Sequence, residues 1–280
     1  MENLRKLQLQ ELEILKEFIK ICEENNLKYY VIGGTFLGAV RHNGFIPWDD
    51  DIDVALPRRD YERFIEIVKK RDKSKFDIVN SKKIEGKRDY FYFYYKFINK
   101  DVDVIEKQFE DEEGTTKAWI DIMAIDEFPK NKISKFMVEK KMLWYRLCMG
   151  LYNIQFTRKK ANRTILEKIA IKFGNTFDVG KFINPNKVVN GIRKTFEKVN
   201  TDDCIESGTI FGSYGMRELV KKEYWGNGAK YKFEDIYVYG PEMSKEYLTH
   251  IYGEDFIEIP PENKRATYHI KLVEKGDAIK

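Results

Sequence analysis

The sequence predicts an α+β fold: a mixed β-sheet flanked by helices, with a helical second half. Three observations predict it. Residues 28–32 form a short apolar strand that runs into Gly33-Gly34 and then a helix-forming stretch. Residues 52–56 and 119–123 are apolar runs of strand length, each with one aspartate set among Ile, Val, Met or Leu. From residue 132 to about 200, apolar residues recur at spacings of three and four.

Taken in order, residues 4–24 predict a helix, with Leu12, Leu15, Ile19 and Cys22 on one side and Glu and Lys between them. After the strand at 28–32, residues 35–41 predict a short helix with Thr35 as its cap, and Asn43-Gly44 marks a turn. Pro57 suits the first turn of a helix whose stripe is Tyr61, Phe64, Ile65 and Val68. Residues 76–79 and 89–98 predict strands, and alternate members of the aromatic run Tyr90–Tyr95 suit a sheet core. Phe136, Met137, Lys140, Leu143, Trp144, Leu147 and Leu151 share one side of the next helix, with breaks near Gly174 and Pro185. Short strands return near 231–239, and a last helix ends at Tyr252-Gly253. The chain thus divides into a core at 1–130, a basic helical region at 131–200 and strands with a helix at 201–280.

Composition narrows the class. With 280 residues and 42% hydrophobic content the chain can bury a substantial core. No apolar run reaches the roughly 20 residues that span a bilayer, and the charged first residues lack a signal-peptide centre, so a cytoplasmic location is expected. Three widely separated cysteines predict reduced thiols rather than a disulfide framework. The net charge of +4 hides an asymmetry: residues 130–198 hold 17 Lys plus Arg against 4 Asp plus Glu, a net +13, which leaves −9 for the remainder.

The chemistry concentrates in residues 33–53, GGTFLGAVRHNGFIPWDDDID. Asp49, Asp50, Asp51 and Asp53 crowd four negative charges into five positions, which repel unless a cation neutralises them. On a strand Asp51 and Asp53 face the same way, with Ile52 directed to the core. Carboxylate oxygens suit a hard ion such as Mg²⁺ or Mn²⁺. Asp121, alone in an apolar strand, is the expected third carboxylate, because burying it without a partner is costly; Asp126 competes, but 126–129 reads as a loop. The Gly33-Gly34 turn can offer backbone N–H groups to phosphate, and the planar fork of Arg41 can pair with a phosphate oxygen.

With these residues in place, the stretch GGTFLGAVRHNGFIPWDDDIDVALPRRDYERF resembles the LicD family of phosphocholine transferases, within the nucleotidyltransferase-fold superfamily. The superfamily pattern of a Gly-Gly turn, an Asp-x-Asp pair and a later strand aspartate matches Gly33-Gly34, Asp51-Ile52-Asp53 and Asp121. The family's ending is matched by Tyr252-Gly253-Glu254-Asp255, then residues 260–265 and His269. The resemblance implies a nucleotidyltransferase-like catalytic core at 1–130. It also implies a CDP-linked donor, such as CDP-choline, CDP-ribitol or CDP-glycerol, and an acceptor hydroxyl on a teichoic-acid precursor, lipopolysaccharide or other cell-surface glycan. Asp51, Asp53 and Asp121 are then expected to hold the metal. Gly33, Gly34 and Thr35 would cradle the diphosphate, with Asp49 and Asp50 as accessory ligands. Trp48 is expected to stack on cytosine or choline. His42, Arg265 and His269 are further candidates for substrate contact. The alternatives are a nucleotidyltransferase that moves NMP from an NTP, and a non-catalytic glycan- or choline-binding protein. The basic region, with Lys and Arg interleaved among Trp144, Tyr145, Tyr152 and Phe156, suggests peripheral contact with an anionic membrane at its inner face rather than binding to nucleic acid.

Overall fold

The computed structural model describes residues 2–84, 86–106, 115–156, 164, 171–174, 176–199, 201–265 and 270–273. The chain divides into two compact units: residues 1–79, 94–127 and 205–280, and residues 80–93 and 128–204.

In the first unit, helix α1 (Glu2–Glu24) buries Leu7, Leu12, Ile14, Leu15, Phe18, Ile21 and Cys22, and the same side carries two polar residues, Gln8 and Glu11. Strand β1 (Tyr30–Val31) pairs antiparallel with β2 (Asp53–Pro57). Between them runs α2 (Gly33–His42). Gly33 adopts φ +55°, the left-handed conformation that lets the strand break directly into a helix. Helix α2 begins earlier than expected: Ile32 is its flanking residue, and Thr35 lies in the first turn rather than capping it. The Asn43-Gly44 turn forms as predicted, with Asn43 left-handed at φ 54°.

Helix α3 (Arg58–Lys70) buries the predicted Tyr61, Phe64, Ile65 and Val68. Phe64 ties the layers together. Its ring lies 5.0 Å from Phe18 of α1 and 5.7 Å from Phe97 of strand β4 (Tyr90–Glu106). Deleting a fully buried ring of this kind costs about 3–5 kcal/mol.

The sheet runs β1-β2-β5-β4-β10, where β5 is Thr115–Pro129 and β10 is Ile270–Leu272. Strand β3 (Phe76–Lys82) pairs with β4, while β6 (Cys204–Gly208) pairs with β5 and with β7 (Leu219–Lys221). Strands β2 and β5 are parallel and the β4–β5 pair is antiparallel. Residues 126–129, read from sequence as a loop, continue β5. Asp126 is buried there and accepts both arms of the Arg58 guanidinium at 2.7 and 2.6 Å, so its carboxylate is committed to an ion pair. Strands β8 (Ala229–Phe233) and β9 (Ile236–Gly240) form a separate hairpin, and α6 (Ser244–Tyr252) ends at Gly253, φ 102°.

In the second unit, α4 (Lys132–Tyr152) is capped by Asn131, whose side chain accepts from the Ile133 and Ser134 N–H groups at 3.0 Å. Asn184 caps α5 (Pro185–Phe196) in the same way, with Pro185 in the first turn. The predicted apolar side of α4 exists, but it faces solvent: Phe136, Met137, Leu143, Trp144 and Leu147 are exposed. Met142, Met149 and Tyr152 form the buried side instead. The helix expected through 157–163 and 165–170 lies outside the described residues.

Candidate active site

The parallel register of β2 and β5 sets Asp53 directly opposite Asp121. Neighbouring strands are about 4.8 Å apart, so the two carboxylates emerge side by side on one face. The Asp121 N–H donates to the Ile52 carbonyl at 2.8 Å, which locks the register at this pair. Ile52 is fully buried, as expected, and Asp51 precedes it. The Thr35 hydroxyl accepts the Asp53 N–H at 2.9 Å, which fixes α2 to the start of β2.

The preceding loop folds back onto the glycine turn. A Cβ on Gly34 would lie 2.6 Å from Asp49 Oδ2, and one on Gly33 would lie 3.2 Å from Asp53 Oδ2. Any side chain at Gly34 would therefore displace the Asp49 carboxylate. Ligand atoms of Asp49, Asp50 and Asp51 lie within 4.8 Å of one another. Asp50 is buried and accepts the Ile270 N–H at 2.6 Å, which binds the loop to β10.

A cavity of about 150 Å³ opens on this group, lined by Gly33, Gly34, Asp49, Asp51 and Asp53, with Glu218 and Tyr247 among the residues on its other walls. Glu218 accepts the Tyr214 N–H at 2.9 Å and the Thr209 hydroxyl. The Gly33 backbone hydrogen-bonds to the Tyr247 phenol, whose pKa burial pushes up.

Like charges and burial dominate the electrostatics. Burial, followed by Asp51, Asp121 and Asp49, holds the Asp53 carboxyl well above the usual range. Burial pushes Asp121 up to about 7; Lys96 opposes this and Asp51 adds to it. Lys96 is the cross-strand neighbour of Asp121. Its ammonium is buried, 3.8 Å from Glu106 and 3.4 Å from the Trp119 ring centroid.

The sequence reading missed Glu11. It is buried on α1, and neither carboxylate oxygen has a hydrogen-bond partner among the described residues. Burial raises its pKa well above normal, and the charges of Asp51, Asp50, Asp49 and Asp121 raise it further. One turn earlier, Gln8 donates to the Asp49 carbonyl at 2.9 Å, so this face of α1 backs onto the acidic loop. The available signal was a polar pair, Gln8 and Glu11, among the apolar positions of an amphipathic helix. Asp121 Oδ1 is likewise buried without a partner. Unpartnered buried oxygens, an all-oxygen donor set and mutual repulsion are what a hard divalent cation relieves, so these residues fit one.

The remaining candidates sit elsewhere around the loop. Arg41, expected at phosphate, donates to the Phe256 and Glu258 carbonyls at 3.1 and 3.0 Å and to His42 Nε2 at 3.0 Å. Burial, then Arg41, lowers the His42 pKa, so its imidazole is a neutral acceptor. His42 stands edge-on to Trp48, with centroids 6.3 Å apart. The Arg265 guanidinium lies over the Trp48 ring at 4.3 Å and donates to the Pro260 carbonyl, so one ring face expected to meet substrate is covered by the chain itself. His269 lies outside the described residues.

An Asp pair beside a glycine turn, joined by an aspartate from the parallel neighbouring strand, defines a nucleotidyltransferase-like domain. Residues 26–137 match the family described as LicD/FKTN/FKRP, nucleotidyltransferase domain. Over 272 residues the chain is 28% identical to lipopolysaccharide cholinephosphotransferase LicD of Haemophilus influenzae, a match that covers 96% of this chain and 97% of that protein. Shorter matches join it to the uncharacterized protein RT0683 of Rickettsia typhi, 41% identical over 56 residues (20% of this chain, 18% of that protein). Ribitol 5-phosphate transferase FKRP of Homo sapiens is 36% identical over 44 residues, 16% of this chain and 9% of that protein.

Proposed function

We propose that the chain transfers phosphocholine, or a related polyol phosphate, from a CDP-linked donor to a hydroxyl of a cell-surface glycan and releases CMP. The observation that carries this reading is the meeting of Asp53 and Asp121 in register beside Gly33-Gly34, with Asp51 and Asp53 lining one cavity. The printed activities of the LicD and FKRP relatives, cholinephosphate and ribitol phosphate transfer, support it.

Asp51, Asp53 and Asp121 would hold a divalent cation, Mg²⁺ or Mn²⁺, which when bound neutralises negative charge on the phosphates. The small cavity has room for phosphoryl oxygens, and the start of α2 presents backbone N–H groups and a positive dipole end to them. Asp49, resting on Gly34, and Asp50, anchored by Ile270, hold the loop that carries Asp51. The acceptor hydroxyl attacks the β-phosphorus in line; the bond to the CMP oxygen breaks, and CMP leaves with that electron pair. Asp121, whose Oδ1 is unpartnered, takes the hydroxyl proton.

The test is to incubate the protein with CDP-choline, CDP-ribitol or CDP-glycerol, a divalent cation and a glycan acceptor, and to measure CMP. CMP release that Asp51→Asn and Asp53→Asn each abolish supports the reading. Pyrophosphate release from an NTP instead, or CMP release that survives both substitutions, overturns it.

A further inference from the structure

We propose that the outer face of α4 docks on an anionic membrane surface. Ile133, Phe136, Met137, Leu143, Trp144 and Leu147 follow helical spacing down one side of α4, and all are exposed, Ile133 at 75% and Trp144 at 60%. The helix has no unmet packing requirement inside its unit. Its other side buries Met142, Met149 and Tyr152, and the Tyr145 ring packs against Gly191 of α5. A contiguous exposed apolar face of this kind marks an interaction site.

Charge selects the occupant. Beside the ridge lies a groove of about 1140 Å³ between α4 and α5, where Lys130, Lys140, Lys141 and Lys198 surround Met137 and Trp144; the acidic residue in its wall is Asp203. The segment 130–198 carries +13. Two copies meeting face to face would oppose these charges, which disfavours self-association. A nucleic acid would satisfy the lysines but leave the aliphatic Ile133, Leu143 and Leu147 ridge without a function. A bilayer with acidic headgroups satisfies both: lysines at the phosphates, and Trp, Phe and Leu at the acyl boundary. Among the described residues no helix is long and apolar enough to cross a membrane, so α4 would lie on the surface. Every residue invoked belongs to the second unit, so this inference does not depend on the carboxylate site.

The test is sedimentation of the full chain with vesicles of phosphatidylcholine, alone or mixed with phosphatidylglycerol. Binding is expected to the mixed vesicles alone, to weaken in high salt, and to blue-shift a Trp emission that is lost in Trp144→Phe. Leu143→Glu with Leu147→Glu, both at exposed positions, is expected to lower the partition coefficient at least about tenfold with unchanged thermal unfolding. Lys140→Glu with Lys141→Glu should act in the same direction. Absence of binding to the mixed vesicles, or equal binding by both double variants, overturns the proposal. So does a dimer that Leu143→Glu dissociates in a protein that ignores vesicles. An oligonucleotide bound equally by the wild type and the leucine variant, when vesicles are not bound, also overturns it.

Discussion

Asp53 and Asp121 face each other across a parallel strand pair, Asp121 buried and Asp53 half-buried, with Lys96 the nearby cation. Both carboxyls have folded pKa values above their unfolded ones, that of Asp121 at about 7. Without a cation, the folded chain therefore binds protons that the unfolded chain releases near pH 4. The stability they contribute is complete below about pH 4 and is lost as pH rises through the folded values. The loss is about 1.4 kcal/mol per pH unit for each extra proton. In chelator, the melting temperature should fall between pH 5 and 7.5. Saturating Mg²⁺ should flatten or reverse that slope, because the ion replaces the protons. A melting temperature that climbs with pH in chelator would refute the assignment.

Glu11 tests the same electrostatics from the helix side. Glu11→Gln keeps the shape and removes a buried carboxyl that has no partner and four aspartates around it. At pH 7.5 the cation-free variant should be at least as stable as the parent, since the repulsion is gone. Its Mn²⁺ affinity, followed by electron paramagnetic resonance of the free ion, should fall about tenfold, roughly 1.4 kcal/mol. Unchanged affinity would mean that Glu11 is a neutral spectator.

Much of this site was legible in the sequence, for a physical reason. A strand has period two and β-sheets reject unpaired charge, so Asp53 and Asp121 announced themselves as lone aspartates in apolar runs. Glu11 did not, because a helix shows Glu on its solvent side routinely, and burial at one position depends on which loop covers it. The contact of Asp49 with Gly34 was hidden for the same reason: it depends on how residues 43–50 fold back. Asp126 was misread because Pro129 and Glu127 suggested a loop, whereas β5 runs on to Pro129 and the Arg58 fork holds Asp126 within it. For α4, periodicity located the apolar stripe but not its direction, since Met142, Met149 and Tyr152 form a second stripe on the opposite side.

The Arg58–Asp126 pair separates structural aspartates from the proposed catalytic ones. Asp126 is almost completely buried and both its oxygens are engaged by Arg58. Asp126→Asn removes the buried counter-charge of Arg58 and leaves the guanidinium only Glu62, at 3.1 Å, which costs about 3 kcal/mol. Urea unfolding should show that loss, while molecules still folded at low temperature keep their transfer activity. Asp121→Asn should do the reverse: stability in chelator should hold or rise, and activity should vanish. Equal stability losses in the two variants would show that Asp121 is structural as well.

Trp48 and Arg265 connect the acidic loop to the C-terminal segment. The guanidinium sits 4.3 Å from the ring centroid, and its Nε is held by the Pro260 carbonyl, so residues 260–265 fold over one face of Trp48. A cation over an indole at a partly exposed site contributes about 1 kcal/mol. Trp48→Ala should therefore speed amide hydrogen exchange at residues 262–265 about fivefold and leave strand β5 unchanged. Arg265→Lys should keep part of that protection, because the charge remains while the planar contact is lost. A base or quaternary ammonium that used the covered face would have to displace Arg265. In that case adding the CDP-linked donor should accelerate exchange at 262–265; a donor that stacks elsewhere, or not at all on Trp48, should leave it unchanged or slow it. Exchange at 262–265 that Trp48→Ala does not alter would show that the stacked pair does not hold the segment.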